Sequence, residues 1–461
     1  MIELTETKVA ALPEMVHLSL AERYEIGRSR RKAVPRAANA EWEPAPERDM
    51  LALLEASNAG RVAQLVPIRH SRMAVSAFTF YRGAPAVMAG DLSHTPSSGL
   101  NVQLCGDCHI SNFGLFASPE RRLVFDLNDF DETLPGSFEW DVKRMAASIV
   151  VAARNANLRA REAEKAVLLA TRVYREKMHE FAGRSYLDAW YSVVDAGVFS
   201  QMASKKQQKD VKAGLAKVQG KDRLRAFNKL TEIVGGQRRI VHNPPVIYRL
   251  EKGEAGVREW VTSLFETYYE SLDDSRKRLL SRYRFVDVAH KVVGVGSVGT
   301  RCFISLWTGK DDDDPLFLQV KQANASLLEP YLGQSAYDQH GRRVVAGQKL
   351  MQAASDIFLG SATSVGDDYF IRQLYDMKGS VNLERVPAPF LAQYAALCAA
   401  VLARAHARSG DAAQIAGYLG RSDGFDQAMA RFAFRYADQN EGDWQVFKSA
   451  IQDGRIEARA E

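Results

Sequence analysis

The stretch Leu104–Glu132, LCGDCHISNFGLFASPERRLVFDLNDFDE, constrains the fold of this chain more than any other. Its residues Leu123, Val124, Phe125 and Leu127 read as a buried strand, and that strand ends among three carboxylates, Asp126, Asp129 and Asp131. Like charges gathered this closely repel unless a cation or a base sits among them. Upstream, Asp107 and Asn112 bracket a turn. An aspartate that takes a hydroxyl proton, a following asparagine that holds a metal, and an aspartate at the next strand's end that bridges metal to phosphates are the ordered parts of a phosphoryl-transfer site. Asp107, Asn112 and Asp129 fit those three places. Which of Asp126, Asp129 and Asp131 would meet a metal stays open.

The same residues have plainer readings. Asp and Asn are common in turns because their side chains bond nearby backbone groups. Cys105 and Cys108 form a CxxC, which can signal redox chemistry or half of a zinc site, but zinc takes four ligands and the other cysteines, Cys302 and Cys398, are isolated. His109 reads as a hydrogen-bonding strut of the turn. Four cysteines in 461 residues give no disulfide framework, so a reducing cytoplasm is the expected setting. No signal-peptide pattern and no run of about eighteen apolar residues is evident, and no membrane association is expected. The formal charge of +5, from 61 basic and 56 acidic residues, does not announce a nucleic-acid partner. The cluster Arg28, Arg30, Arg31, Lys32 and Arg36 reads as a solvated helix face.

Four segments are expected along the chain. Residues 1–66 are helical with Pro-bearing connectors, with helices at Leu18–Lys32 and Asp49–Leu65. Residues 67–282 carry the acidic loop and are otherwise helical. There Arg69, Arg72 and Arg82 interleave with Phe78, Phe80 and Tyr81, as arginines do when they face phosphate or substrate, or snorkel from a helix. Asp141–Arg154 has one apolar face and starts on Asp141, a favourable partner for the helix dipole. Further helices are expected at Asp222–Val234 and Val257–Leu280.

Residues 283–380 change character to β-branched and aromatic. Gly294, Gly296 and Gly299 form a GxGxxG. Thr300–Trp307 continues as a strand rather than a helix, so the glycines, with Ser297, read as a turn between strands that covers nucleotide phosphates. The segment FLQVKQA sets Lys321 at a strand end, placed for the α and β phosphates. Its acidic partner is left open, since Glu329 lies early and the next helix offers only Gln348. Helices are expected at Ala325–Leu332 and Val344–Ala354. Asp368–Tyr375 then reads as a strand entering a hinge at Asp376–Gly379, whose backbone would meet an adenine, with Gln373 and Tyr375 on the nucleotide side. Residues 381–461 are helical, led by Phe390–Arg408.

Taken together, PIRHSRM at Pro67, FTFYRG at Phe78, QLCGDCHISNFG at Gln103, FDLNDFDETLPG at Phe125 and WDVKRMAAS at Trp140 resemble the uncharacterised bacterial family "domain of unknown function 2252" of the protein-kinase-like superfamily. More remotely, GDCHISN is similar to the HGDLHPGN loop of aminoglycoside and choline phosphotransferases, and NDFDE to their metal-binding segment. The resemblance implies an α+β, two-lobed protein-kinase-like fold. Because the catalytic half precedes the glycine turn and Lys321, the order would be circularly permuted. It implies Asp107 as catalytic base, Asn112 and Asp129 as magnesium ligands, and Asp141 as the helix aspartate that braces the loop. Cys105 stands where these enzymes usually have histidine.

The expected function is an ATP- and Mg2+-dependent phosphotransferase acting on a small-molecule hydroxyl. The alternatives are nucleotidyl transfer, a non-catalytic nucleotide-binding regulator, or an NAD-dependent oxidoreductase, which would need a helix after Gly299. The permuted arrangement makes a spatial demand: Lys321 within on the order of 10 Å of Asp129, and the helix at Phe390–Arg408 beside the Asp107 loop.

Overall fold

Short β-rich runs punctuated by glycine and aspartate, set between long apolar-faced helices, give a mixed α+β protein. A computed structural model describes residues 18–459 apart from 203–207, 221–222, 245, 251–254, 293, 295–297, 312–313 and 375–376. Near the acidic stretch, β1 (Asn101–Leu104) pairs antiparallel with β4 (Leu134–Ser137), and β2 (Phe113–Ala117) with β3 (Leu123–Leu127). All five residues of β3 are buried, so the acids beyond its end emerge from a strand fixed on both faces. The hairpin β5 (Thr231–Val234) and β6 (Gln237–Ile240) comes next.

The rest of the strands form one larger antiparallel sheet. It contains β7 (Ile247–Arg249), β8 (Arg284–Lys291), β9 (Cys302–Thr308), β10 (Pro315–Ala323), β11 (Gly360–Ser364) and β12 (Asp367–Gln373), in the order β11-β12-β10-β9-β8-β7. The two-residue period of β10 sorts its side chains. Leu316, Leu318 and Val320 join Leu264 and Tyr268 of the helix Ala255–Ser271, while Phe317 meets Phe227 and Leu230 on the other face. Gln319 and Lys321 share the face of Phe317, so the lysine is turned away from the covering helix.

The helical body is built on the packing of Ala160–Ala182 against Ala388–Ser409, with Glu139–Asn155 and Gly424–Gln452 alongside. Ala388–Ser409 is, among the described residues, the one helix long and apolar enough to cross a membrane by length and composition. Its apolar faces are instead buried in the largest core, where Leu391, Tyr394, Cys398, Val401 and Leu402 are fully enclosed.

Several expected elements differ. The helix expected over Asp222–Val234 ends at Leu230, and Thr231–Val234 is β5. The cause is Gly235-Gly236, both with positive φ, which form the tight turn that a hairpin of this twist requires. The helix expected from Asp49 stops at Ala56, and Gly60, at φ +76°, turns the chain before a short 3-10 turn at Ala63–Leu65. The helix expected over Ala325–Leu332 contracts to Glu329–Leu332. The large sheet also draws in β7 and the helix Ala255–Ser271 from ahead of Tyr283.

Candidate active site

The loop after β1 is shaped by Gly106, whose φ of +86° favours glycine and where a Cβ would lie 2.4 Å from the Glu132 carbonyl oxygen. Asp141, in the first turn of Glu139–Asn155, accepts the backbone N–H groups of Cys105 at 2.7 Å and Gly106 at 3.0 Å. Its Oδ2 also lies 3.2 Å from His406 Nε2. The carboxylate thus ties the loop to two helices. Tyr394 adds a third tie, its hydroxyl donating to the Ile110 carbonyl at 2.9 Å. The helix Ala388–Ser409 therefore lies beside the Asp107 loop.

Asp107 faces a cavity of about 680 Å3, together with His109, Asn112, Asp129, Asp131 and Glu132. Arg144 Nε donates to Asp107 Oδ1 at 2.6 Å, and its guanidinium stacks over Tyr81 at 4.4 Å. Burial works against the Arg144 charge, but Asp107 outweighs it and holds the guanidinium ionised. His109 is enclosed, and its Nδ1 accepts the Ser111 N–H at 3.2 Å. That bond leaves the ring proton on Nε2, 3.6 Å from Asp107 Oδ2. Burial, opposed by Asp107, lowers the imidazole to about 4, so the ring is a neutral strut at pH 7. Asn112 donates its amide N–H to the Asp107 carbonyl at 2.6 Å, which leaves its amide oxygen as the atom able to bind a metal.

Behind the acidic turn, Lys321 Nζ reaches from β10 to Asp131 Oδ2 at 2.7 Å and Asp129 Oδ1 at 3.7 Å. The proximity expected of Lys321 and Asp129 is therefore present, across two residues separated by most of the sheet-forming chain. The lysine is 3% exposed. Its burial disfavours the ammonium, but Asp129 and Asp131 outweigh it and raise its pKa. The two carboxylates divide unequally. Burial opposes the charge on Asp129, yet Lys321 and then Arg372 hold it below the usual carboxylate range. Asp131 moves the other way, raised by burial and by the charge of Asp129. Lys321 lies closer to Asp131, at 2.7 Å, than to Asp129, at 3.7 Å, so the Asp129 carboxylate is the less tightly held of the two and the freer to meet a cation.

Glu132 is pushed up to about 7, chiefly by burial, with the Leu327 N–H opposing. Because the folded value lies above the ordinary 4.5, its contribution to stability is full below about pH 4.5 and is lost as pH rises through about 7. Glu132→Gln should therefore flatten the loss, leaving the variant more stable than the parent by about 1–3 kcal/mol at pH 8 and by much less at pH 5. Urea unfolding at the two pH values measures this. An equal gap at both would show that Glu132 does not titrate as described.

Not every expected residue belongs to this site. Asp126 is no metal ligand: it is 1% exposed and paired with Arg404, whose Nη2 and Nη1 donate to its two oxygens at 2.6 and 2.9 Å. The Leu127 and Ala353 N–H groups fill its remaining lone pairs. The end of β3 decides this, since Asp126 lies within a strand whose residues are all buried while Asp129 lies beyond its end. Gly294 lines the cavity near Thr300. Gly299 is held by the Val62 N–H, which donates to its carbonyl at 2.7 Å. Gly296 and Ser297 lie outside the described residues, as does Tyr375. Gln373 lies on a separate cavity of about 150 Å3 with Asn128, Arg372 and Lys378.

Neither candidate partner of Lys321 meets it. Glu329 accepts the Ser326 N–H at 3.1 Å, and Gln348 donates to Gln352 at 2.9 Å. The helix His340–Met351 contributes Arg343 instead, which donates to the Asp131, Thr133 and Asn324 carbonyls and so fixes the acidic turn. The interleaved arginines divide as well. Arg69 is buried against Asn58 and the Gly83 carbonyl, Arg72 donates to the Gly294 carbonyl, and Arg82 lines the cavity. Sequence reasoning passed over Arg144, although it lies one helical turn beyond Asp141 within WDVKR.

After Gly299 the chain enters β9 at Cys302, so a strand stands where a dinucleotide fingerprint would require a helix. Cys105 and Cys108 are buried free thiols. No curated protein and no solved structure matches the chain significantly. A family model, described as an uncharacterized protein conserved in bacteria, matches residues 61–450, and on that extent the chain belongs to the bacterial family DUF2252.

Proposed function

We propose that the protein is an ATP- and Mg2+-dependent phosphotransferase acting on a small-molecule hydroxyl, on a circularly permuted protein-kinase-like fold. The observation that carries the reading is the meeting of Lys321 with Asp129 and Asp131, on the cavity that also holds Asp107 and Asn112. Residues from opposite halves of the chain supply one site, in the roles that phosphoryl transfer needs.

Among the described residues no group of three or more acidic, histidine or cysteine side chains is arranged as a metal cage. Mg2+ does not require one, because it is bound through one or two protein oxygens with phosphates and water completing the shell. The Asp129 carboxylate and the Asn112 amide oxygen fit that donor set, and the metal would neutralise charge on the transferred phosphoryl group. Lys321 would release Asp131 in part and contact the α and β phosphates. Asp107 would accept the hydroxyl proton as the acceptor oxygen bonds to the γ-phosphorus and the bond from that phosphorus to the bridging oxygen breaks, freeing ADP. Arg144 keeps Asp107 oriented, and Asp141 keeps the loop in place.

A second reading, a nucleotide-binding regulator, is favoured by one feature: Lys321 has its acids on the acidic turn and none on the neighbouring helix. ATP labelled separately at the α and γ positions, incubated with a bacterial small-molecule extract, tests the proposal. The γ label should enter a new product while the α label stays with ADP. Transfer of the α label would mean nucleotidyl transfer, and transfer of neither would favour the regulator.

A further inference from the structure

Most of the arginines around the cavity are committed to the chain itself. Arg61 donates to the Val298 carbonyl at 2.6 Å, Arg69 to Asn58, Arg72 to the Gly294 carbonyl and Arg144 to Asp107. Arg82 is different. It lies in the last turn of the helix Ala77–Gly83, and its Nε is buried without a hydrogen-bond partner. Among the described residues its guanidinium has the Phe78 ring, at 5.9 Å, as its near contact. It lines the 680 Å3 cavity on the side of Asp107 and His109, and its charge is felt by both.

A half-buried guanidinium with five donors and no acceptor is costly unless something else supplies one. The carboxylate whose charge reaches Arg82, Asp107, is already held by Arg144. The matching ligand for a planar guanidinium is a carboxylate or a phosphate, which it binds through two parallel hydrogen bonds. Leu53, Pro85 and Ala86 also line this cavity.

We infer that Arg82 is an acceptor-binding residue, and that the acceptor is a small hydroxylated anion whose carboxylate or phosphate sits on Arg82 while its hydroxyl lies at Asp107. The inference rests on the phosphotransferase reading and narrows its substrate class. The alternative anion for Arg82 is the nucleotide's own phosphate tail, and the test separates the two.

A bacterial small-molecule extract is divided at pH 7 on an anion-exchange resin into a flow-through and a retained fraction, and each is offered to the full-length protein with γ-labelled ATP and Mg2+. Label transfer should be confined to the retained fraction. Arg82→Gln should raise the KM for that fraction about 10- to 100-fold, the range for a lost charge-assisted hydrogen bond, and Arg82→Lys should recover part of the loss. Phosphatase treatment of the retained fraction then distinguishes a phosphate-bearing acceptor from a carboxylate. Transfer confined to the flow-through would overturn the inference and leave the phosphotransferase reading standing. A weakened affinity of Arg82→Gln for Mg2+-ATP would overturn it in favour of the nucleotide's phosphates. Transfer in neither fraction would overturn both readings together.

Discussion

Arg404→Met should destabilise the protein by about 3–5 kcal/mol, because it leaves the Asp126 carboxylate buried without its counter-charge. Asp126 and Arg404 are 1% and 2% exposed, and two hydrogen bonds of 2.6 and 2.9 Å join them. The guanidinium also donates to the Met351 carbonyl at 3.0 Å, so its removal strands two acceptors in the core. The helix Ala388–Ser409, β3 and the end of the helix His340–Met351 meet at this pair. Adding Asp126→Asn to Arg404→Met should return part of the loss, since an amide is far cheaper to bury than an unpaired charge. The urea midpoint of each variant, at unchanged slope, measures the effect. A loss below about 1 kcal/mol for Arg404→Met would mean that water reaches Asp126. Asp126 would then be a candidate metal ligand again.

Asp107→Ala should slow transfer by about 10²- to 10⁴-fold, the usual contribution of a general base, with Mg2+-ATP affinity largely kept. The variant also strips the buried Arg144 of its carboxylate partner, leaving it the Tyr81 carbonyl, so Asp107→Asn is the necessary companion. Asparagine keeps an oxygen for Arg144 but cannot take the hydroxyl proton at neutral pH. A similar loss of kcat in both variants, with intact urea stability for Asp107→Asn, separates proton transfer from loop collapse. Transfer at the parent rate in Asp107→Asn would remove Asp107 from the chemistry.

Much of this site was legible in local sequence because its backbone chemistry is local. Gly106, Asp107 and Asn112 fall within one turn, and β3 announces itself by an apolar run. Lys321 was legible for the same reason, an apolar strand ending in a charge. What the sequence hid were the partners. Asp131 lies 190 positions from Lys321, and Asp126 lies 278 from Arg404, so no spacing rule connects them. Whether each acid lies within β3 or beyond its end decides between the core and the cavity, and the three acids look alike until the end of the strand is fixed. The hairpin at Thr231–Ile240 is hidden for a different reason: helical propensity in Asp222–Leu230 runs on to Val234 by sequence alone, whereas the Gly235-Gly236 turn folds Thr231–Val234 back on Gln237–Ile240 as a strand. The division of the arginines among carbonyls, carboxylates and open cavity depends wholly on tertiary packing.

If the proposed function holds, Lys321, Asn112 and Asp129 converge on a single Mg2+-bound nucleotide. Unfolding free energy measured in urea, with and without ATP and with and without Mg2+, tests this directly in the parent protein and in Asp129→Ala. A ligand that binds only the folded state stabilises it by about 2.7 kcal/mol at a hundredfold excess over its dissociation constant. The parent should gain on that order from ATP with Mg2+ and distinctly less from ATP alone, and Asp129→Ala should lose the Mg2+-dependent part. A parent protein that gains nothing from ATP, or a Mg2+-dependent gain that survives in a folded Asp129→Ala, would contradict the shared nucleotide site.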